Sequence, residues 1–261
     1  MIICPICKNK SKKIWKERQY TVWKCRNCKT SFLWPIPTNL EEIYNKRYFE
    51  SWYLPYWNKR KKYFQKIFTE VEKNIKKKGK LLDIGCGVGI FLEVAKEKGW
   101  EVYGQEVSSF AIEWCRNKGL KVLDKPLPEL NLPENSFDLV SMFDVIAHIR
   151  EPVEYLNICK KILKPDGYLI VKTPSHSNFL FTFNKLFSFT GKTKTLLHIP
   201  AQIFHFSSLE YILEKTGFTP LKTYKLQEYN KFSIRDFRNL INFIIQFLLR
   251  EKTLIIFATK K

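Results

Sequence analysis

The chain has 261 residues, 45% of them hydrophobic, which is enough for one α/β domain of about 180 residues plus a small appended module. No run reaches the ~18–20 apolar residues that cross a bilayer, and no apolar leader precedes Cys4, so a cytoplasmic protein is expected. The formal charge of +20 is unevenly spread: residues 1–80 carry net +15, residues 81–176 net −3 and residues 177–261 net +8. Basic ends around a near-neutral centre suit an anionic partner: nucleic acid, nucleotide-sugar, phospholipid or lipid-linked phosphate. A compositional bias toward Lys, Ile, Asn and Phe would leave the same charge, so charge alone does not choose a substrate.

Cys4-x-x-Cys7 and Cys25-x-x-Cys28 have the spacing of two metal knuckles. Four thiolates would close a tetrahedral structural zinc site with no open position for chemistry; two disulfides or free thiols are the alternative. Between the pairs, Ile14 to Lys24 reads as a β-hairpin, which makes residues 1–36 a zinc ribbon. Pro35 and Pro37 mark a linker. Residues 56–78 form a Lys-rich helix with Tyr63, Ile67, Val71 and Ile75 on one stripe, so residues 37–79 are expected to be a linker and basic helical segment.

Leu81-Leu-Asp-Ile-Gly-Cys-Gly-Val-Gly-Ile-Phe91 follows, a short apolar strand running into glycines at every second position. A glycine turn between strand and helix lets a ligand press against bare backbone at a helix N-terminus. A second strand, Trp100 to Gln105, ends at Glu106, where a βαβ unit places a carboxylate within reach of a ribose diol. A turn with no ligand, and Glu106 as a solvated strand end, is the plainer reading. The stretch resembles motif I of class I S-adenosylmethionine-dependent methyltransferases.

Further along, Lys121 to Leu123, Phe137 to Phe143 and Tyr168 to Thr173 read as strands and Val153 to Leu163 as a helix stopped by Lys164-Pro-Asp-Gly167. Ser207-x-x-Glu210 reads as a capping box opening a helix that closes at Gly217. Tyr224 to Glu228 and Thr253 to Ala258 are the last strands, one of them antiparallel. Strands alternating with helices imply a doubly wound, mostly parallel sheet of the α/β class, with ligands at the carboxyl ends of its strands. Residues 80–261 would be the cofactor domain, with substrate-side insertions near 177–204 and 229–250.

The motifs "LLDIGCGVGIFLE", "LPENSFDLVSMFDVIAHIREPVEYLNICKKILKPDGYLIVKTP" and "HFSSLEYILEKTGF" together resemble the type-11/type-23 small-molecule methyltransferases over roughly residues 80–220. The resemblance implies a seven-stranded Rossmann-like sheet and S-adenosylmethionine as cofactor. It places Asp83, Gly85, Gly87 and Gly89 at the methionine part, Glu106 at the ribose and the Phe143–Asp144 edge beside the adenosyl group; Cys86, by type an ordinary buried residue, could touch the cofactor by its position in the loop, and Leu127 falls on the same strand-end edge. The front end is similar to zinc-ribbon methyltransferases among bacterial polysaccharide and sugar-modifying enzymes, which implies a sugar-linked or lipid-linked acceptor. Where related quinone O-methyltransferases have Glu-x-x-Glu-His, this chain has Asp144, Ala147 and His148, one carboxylate short of that metal patch.

Methyl transfer needs an acceptor held in line and relieved of its proton, and His is the natural base near neutral pH. His148 with Asp144, four residues apart and sharing a face if helical, and His176 after the fifth strand are the catalytic candidates; His198 and His205 are weaker ones. Each could instead pack structurally. A carboxylate beside His148 would raise its basicity. Phe179 to Phe189 form an aromatic cover, and Phe237 to Leu249 could lie on the inner membrane face. Two other functions stay open: an RNA methyltransferase that recognises RNA through ribbon and basic helix, and a non-catalytic module that keeps a cofactor fold.

Overall fold

A computed structural model describes residues 2–17, 20–36, 40–75, 77–175, 202–204, 206–227 and 252–260. The first three strands are β1 (Ser11–Glu17), β2 (Tyr20–Cys25) and β3 (Ser31–Trp34), all antiparallel. The expected hairpin is β1–β2. The third strand was hidden beside Pro35; Phe32 and Leu33 are buried in it, and burial of that apolar pair settles strand over linker. A two-residue strand, β9 (Gln202–Ile203), pairs with β3 and closes this sheet. Lys215 Nζ donates to the Ile6 carbonyl at 2.9 Å, and one buried cluster joins Ile6 and Phe32 to Phe204, Leu209 and Ile212. The N-terminal sheet is therefore docked on the rest of the chain.

The segment from residue 40 to residue 74 is helical almost throughout: α1 (Leu40–Ile43), α2 (Lys46–Tyr48), a π turn (Phe49–Tyr53), a 3₁₀ turn (Leu54–Tyr56) and α3 (Trp57–Asn74). Ile67, Phe68 and Val71 are buried, with Phe68 5.8 Å from Phe91 and 5.9 Å from Trp100, ring to ring. The Lys-rich helix is thus solvated on one face and core on the other, as its apolar stripe predicts.

The main sheet is built from β4 (Lys80–Ile84), β5 (Glu101–Gln105), β6 (Lys121–Leu123), β7 (Phe137–Phe143), β8 (Leu163–Ser175), β10 (Phe218–Gln227) and β11 (Lys252–Lys260). Its order is β10-β11-β8-β7-β4-β5-β6. The five strands from β4 to β8 pair in parallel, and β10 and β11 are antiparallel. This is the expected seven-stranded, mostly parallel sheet. Helices α4 (Ile90–Glu97), α5 (Ser109–Asn117), α6 (Pro152–Ile162) and α7 (Phe206–Lys215) accompany it. Leu81, Leu82, Leu139 and Val140 are fully buried, as strands covered on both faces must be.

Helix α6 ends at Ile162, just ahead of Lys164 to Gly167, as read; Leu163 already pairs with Phe137, and the register slips before Leu139 meets Tyr168, so the stretch is an irregular strand start. Lys164 Nζ is held there by Asp138, at 2.7 and 2.8 Å. Helix α7 begins at Phe206, so Ser207 stands in its first turn and not at its cap; Phe204, fully buried, brings the chain in earlier. His176, His198, His205, the aromatic run Phe179 to Phe189 and Phe237 to Leu249 lie outside the described residues.

Candidate active site

The carboxyl ends of β4, β5 and β7 open into a cavity of about 680 Å³. Its lining includes Gly85, Gly87, Gln105, Glu106, Val107 and Pro126. Gly85 and Gly87 have φ of +66° and +53°, which a side-chain-bearing residue adopts only under strain. The Phe49 ring lies over Gly87, 3.4 Å from where its Cβ would stand. Glu106 is buried, and its carboxylate accepts from the backbone N–H groups of Gly87 (2.8 Å), Val107 (2.7 Å) and Ser108 (3.0 Å). Three donors orient it, and an ionised carboxylate with about four lone-pair sites keeps capacity for a diol.

Of the residues expected at the cofactor, Gly85, Gly87, Glu106 and Phe143 line the cavity together with Asp144 and His148. Four do not. Asp83 is buried and accepts from Ser141 Oγ at 2.6 Å; burial pushes its carboxyl up to about 7. It braces β4 against β7 from inside. Cys86 turns inward, toward Gly104 and Cys115, because Gly104 leaves room for its sulfur. Gly89 caps α4 and packs against Leu120 and Cys115. Leu127 is fully buried, and its neighbour Pro126 takes the wall position.

Tyr44, Tyr48, Tyr53, Arg60, Asp144 and His148 line the same cavity, with the Tyr53 ring 3.9 Å from where a Cβ on Gly87 would stand. Asp144 and His148 do not share a helix. The segment after β7 is a turn, with His148 N–H donating to Val145 O, and Asp144 has φ of +61°. Each side chain has a different partner. Asp144 Oδ2 takes a charge-assisted bond from Lys172 Nζ at 2.6 Å, and the Asp144 N–H donates to the Lys172 carbonyl. Asp144 Oδ1 is buried with no hydrogen-bond partner. His148 Nδ1 lies 3.0 Å from Tyr44 Oη, and Ser108 Oγ in turn holds the Tyr44 carbonyl at 2.7 Å. Burial lowers the His148 pKa from its ordinary 6.5, and the charge of Asp144 offsets only part of that. The expected gain in basicity is thus reversed, because desolvation outweighs the carboxylate.

Tyr44, Tyr48, Phe49, Tyr53, Arg60 and Lys172 were not singled out from the sequence. The first five come from the stretch ahead of the glycine motif. Tyrosines at 44, 48 and 53, spaced near one helical turn, were a signal there. Lys172 carried none, since a lysine late in a strand is ordinary.

In the N-terminal sheet, the sulfurs of Cys4 and Cys28 lie 3.6 Å apart, those of Cys7 and Cys25 3.3 Å, and all four within 4.8 Å of one another. Tetrahedral zinc thiolates stand about 3.8 Å apart, so the donor set fits such an ion. Asn27 N–H donates to Cys25 Sγ at 3.3 Å, the backbone support a thiolate takes. None of the seven cysteines is in a disulfide.

Residues 56–223 match the model of a methyltransferase domain family. The chain belongs to that family. Curated relatives of this methyltransferase include the ubiquinone biosynthesis O-methyltransferases of Haemophilus ducreyi, 29% identical over 105 residues, and of Caulobacter vibrioides, 36% identical over 100. Each match covers 36% of this chain, and 44% and 40% of the relative, so the chain spans less than half the length of these curated relatives. Among solved structures it is similar to an S-adenosylmethionine-dependent methyltransferase from Archaeoglobus fulgidus (TM-score 0.58, 22% identity, 80% of this chain and 100% of that one). It is also similar to the PH0226 protein of Pyrococcus horikoshii (TM-score 0.59, 17% identity, 83% and 99%). At these identities the likeness concerns the fold. With the sheet order and the glycine turn, it makes this methyltransferase one of class I.

Proposed function

We propose that this methyltransferase uses S-adenosylmethionine to methylate a hydroxyl on a small, lipid-linked or sugar-linked acceptor. The observation that carries the proposal is that Gly85, Gly87 and Glu106 line one cavity together with His148 and Asp144. When bound, the cofactor would supply a methyl group on an electrophilic sulfonium. Gly85 and Gly87 would give it bare backbone, Glu106 would accept from its two ribose hydroxyls, and Phe143 would flank it.

The tyrosine wall and Phe49 exclude water from the reacting atoms. With Nδ1–H donated to Tyr44 Oη, His148 Nε2 is unprotonated and takes the acceptor's proton. The lowered pKa keeps that nitrogen free at neutral pH. Asp144 Oδ1, lacking a partner, accepts a hydrogen bond from the acceptor while Lys172 holds the other oxygen. The ubiquinone relatives act, by name, on oxygen, which favours a hydroxyl here.

We further propose that Cys4, Cys7, Cys25 and Cys28 hold a structural zinc in a ribbon spanning residues 1–36, with residues 37–79 linking it to a cofactor domain over 80–261. Seven unpaired cysteines suit a reducing, cytoplasmic setting. Among the described residues no helix is long and apolar enough to cross a membrane.

Calorimetric titration with S-adenosylhomocysteine tests the cofactor site. Micromolar binding that falls at least 100-fold in Glu106→Ala is expected, from loss of charge-assisted bonds of about 1.5–3 kcal/mol each. Equal binding by the variant would remove the assignment. Labelled S-adenosylmethionine with a catechol as acceptor probe then tests transfer to oxygen.

A further inference from the structure

The helical run from Phe49 to Asn74 has two faces. Tyr53 and Arg60 point into the cavity wall, and Ile67, Phe68 and Val71 into the core. Its other face is a single stripe of exposed residues, Trp52, Tyr56, Lys59, Lys62 and Lys66, at helical spacing. Trp52 is 56% and Tyr56 51% exposed, large aromatic surfaces to leave in water one turn apart. Lys59, Lys62 and Lys66 have no carboxylate within 4.0 Å among the described residues, whereas Lys61, facing another way, is paired with Glu97. From residue 46 to residue 66 there are seven Lys and Arg against one acid.

Aromatic rings with a polar edge, followed along one helix face by lysines on flexible stems, match the layers of a bilayer surface. The rings sit at headgroup level, and the ammonium groups reach anionic phosphates. An RNA strand would also use both groups, its phosphates on the lysines and its bases stacked on the rings, but here the two rings stand together ahead of the three lysines and not among them. We propose that this stripe docks the protein on an anionic lipid surface. The docking stands on the stripe itself and not on the function proposed above.

The test is co-sedimentation of the full chain with phosphatidylcholine vesicles that contain or lack phosphatidylglycerol, at low and high salt. Binding that requires phosphatidylglycerol and weakens with salt is expected. A K59Q/K62Q/K66Q variant should bind roughly 100-fold less, at about a tenfold loss for each one to two lysines removed. A W52S/Y56S variant should bind more weakly with its salt dependence kept. No pelleting of the unaltered chain with phosphatidylglycerol vesicles overturns the proposal. So does binding unchanged in the lysine variant, binding indifferent to lipid charge, or tighter binding of a poly(U) oligonucleotide through the same lysines. S-adenosylhomocysteine titration of each variant reports folding and the cofactor site separately. In the unaltered chain, cofactor binding without vesicle binding counts against the lipid surface alone, and vesicle binding without cofactor binding counts against the cofactor reading alone.

Discussion

Two sets of residues line the cavity and are placed differently. The set proposed to hold the cofactor comes from one βαβ unit: glycines at the end of β4, and a carboxylate at the end of β5 held by three N–H groups. The set proposed to meet the acceptor is drawn from far apart: Tyr44, Arg60, Asp144, His148, with Lys172 behind Asp144. Tyr44 and His148 are separated by 104 positions, yet share a hydrogen bond. A set placed by one local unit can stay fixed while a wall of side chains from distant segments is rebuilt for a new acceptor.

Removing the proposed zinc should act most strongly, and away from both sets. Structural zinc stabilises small modules by on the order of 10 kcal/mol. Chelation should release hydrogen-exchange protection in β1 to β3 and β9, while the amides of β4 and β7 keep theirs. Uniform loss across the main sheet would show that the two sheets unfold together.

Next comes His148→Ala, expected to lower kcat by about 10²–10⁴ while leaving S-adenosylhomocysteine affinity within a factor of about two. A parallel loss of cofactor affinity would break the division between the two sets. Because the His148 pKa lies below 6.5, the acid limb of the kcat profile should also fall below that value. Tyr44→Phe should cost less, about tenfold in kcat, by releasing the Nδ1 tautomer, and should move that limb. An unmoved limb would reduce Tyr44 to packing.

The smallest effect is expected behind the cofactor set. The Asp83 carboxyl is raised from 3.8 to about 7 in the folded chain, so its ionisation opposes folding increasingly from about pH 4 up to neutrality. Asp83→Asn keeps the acceptor for Ser141 and should raise the melting temperature by about 3 °C near pH 8, with the gain gone near pH 4. A loss of stability at both pH values would give the ionised carboxylate a role in the fold.

How much of this was legible follows from range. Strand β7 was read over Phe137 to Phe143, as the structure has it, because seven consecutive residues of strand character bounded by a turn have no helical alternative. Gly85, Gly87 and Glu106 were readable because one βαβ unit places them, and its geometry is local. Cys86, Gly89 and Leu127 share that neighbourhood, but which way a side chain turns there depends on Gly104, Cys115 and the wall position of Pro126.

The four N-terminal cysteines announced themselves by spacing, and the strand that completes their sheet did not, since Gln202 and Ile203 join β3 from some 170 positions away. Sequence alone determined the individual strands, the glycine turn and the cysteine cluster, each encoded within a few dozen residues. Tertiary structure alone decided that Tyr44 meets His148, that Lys172 takes Asp144, and that burial outweighs charge at the imidazole. Those outcomes depend on which distant segments cover the strand ends, and on how much water they expel.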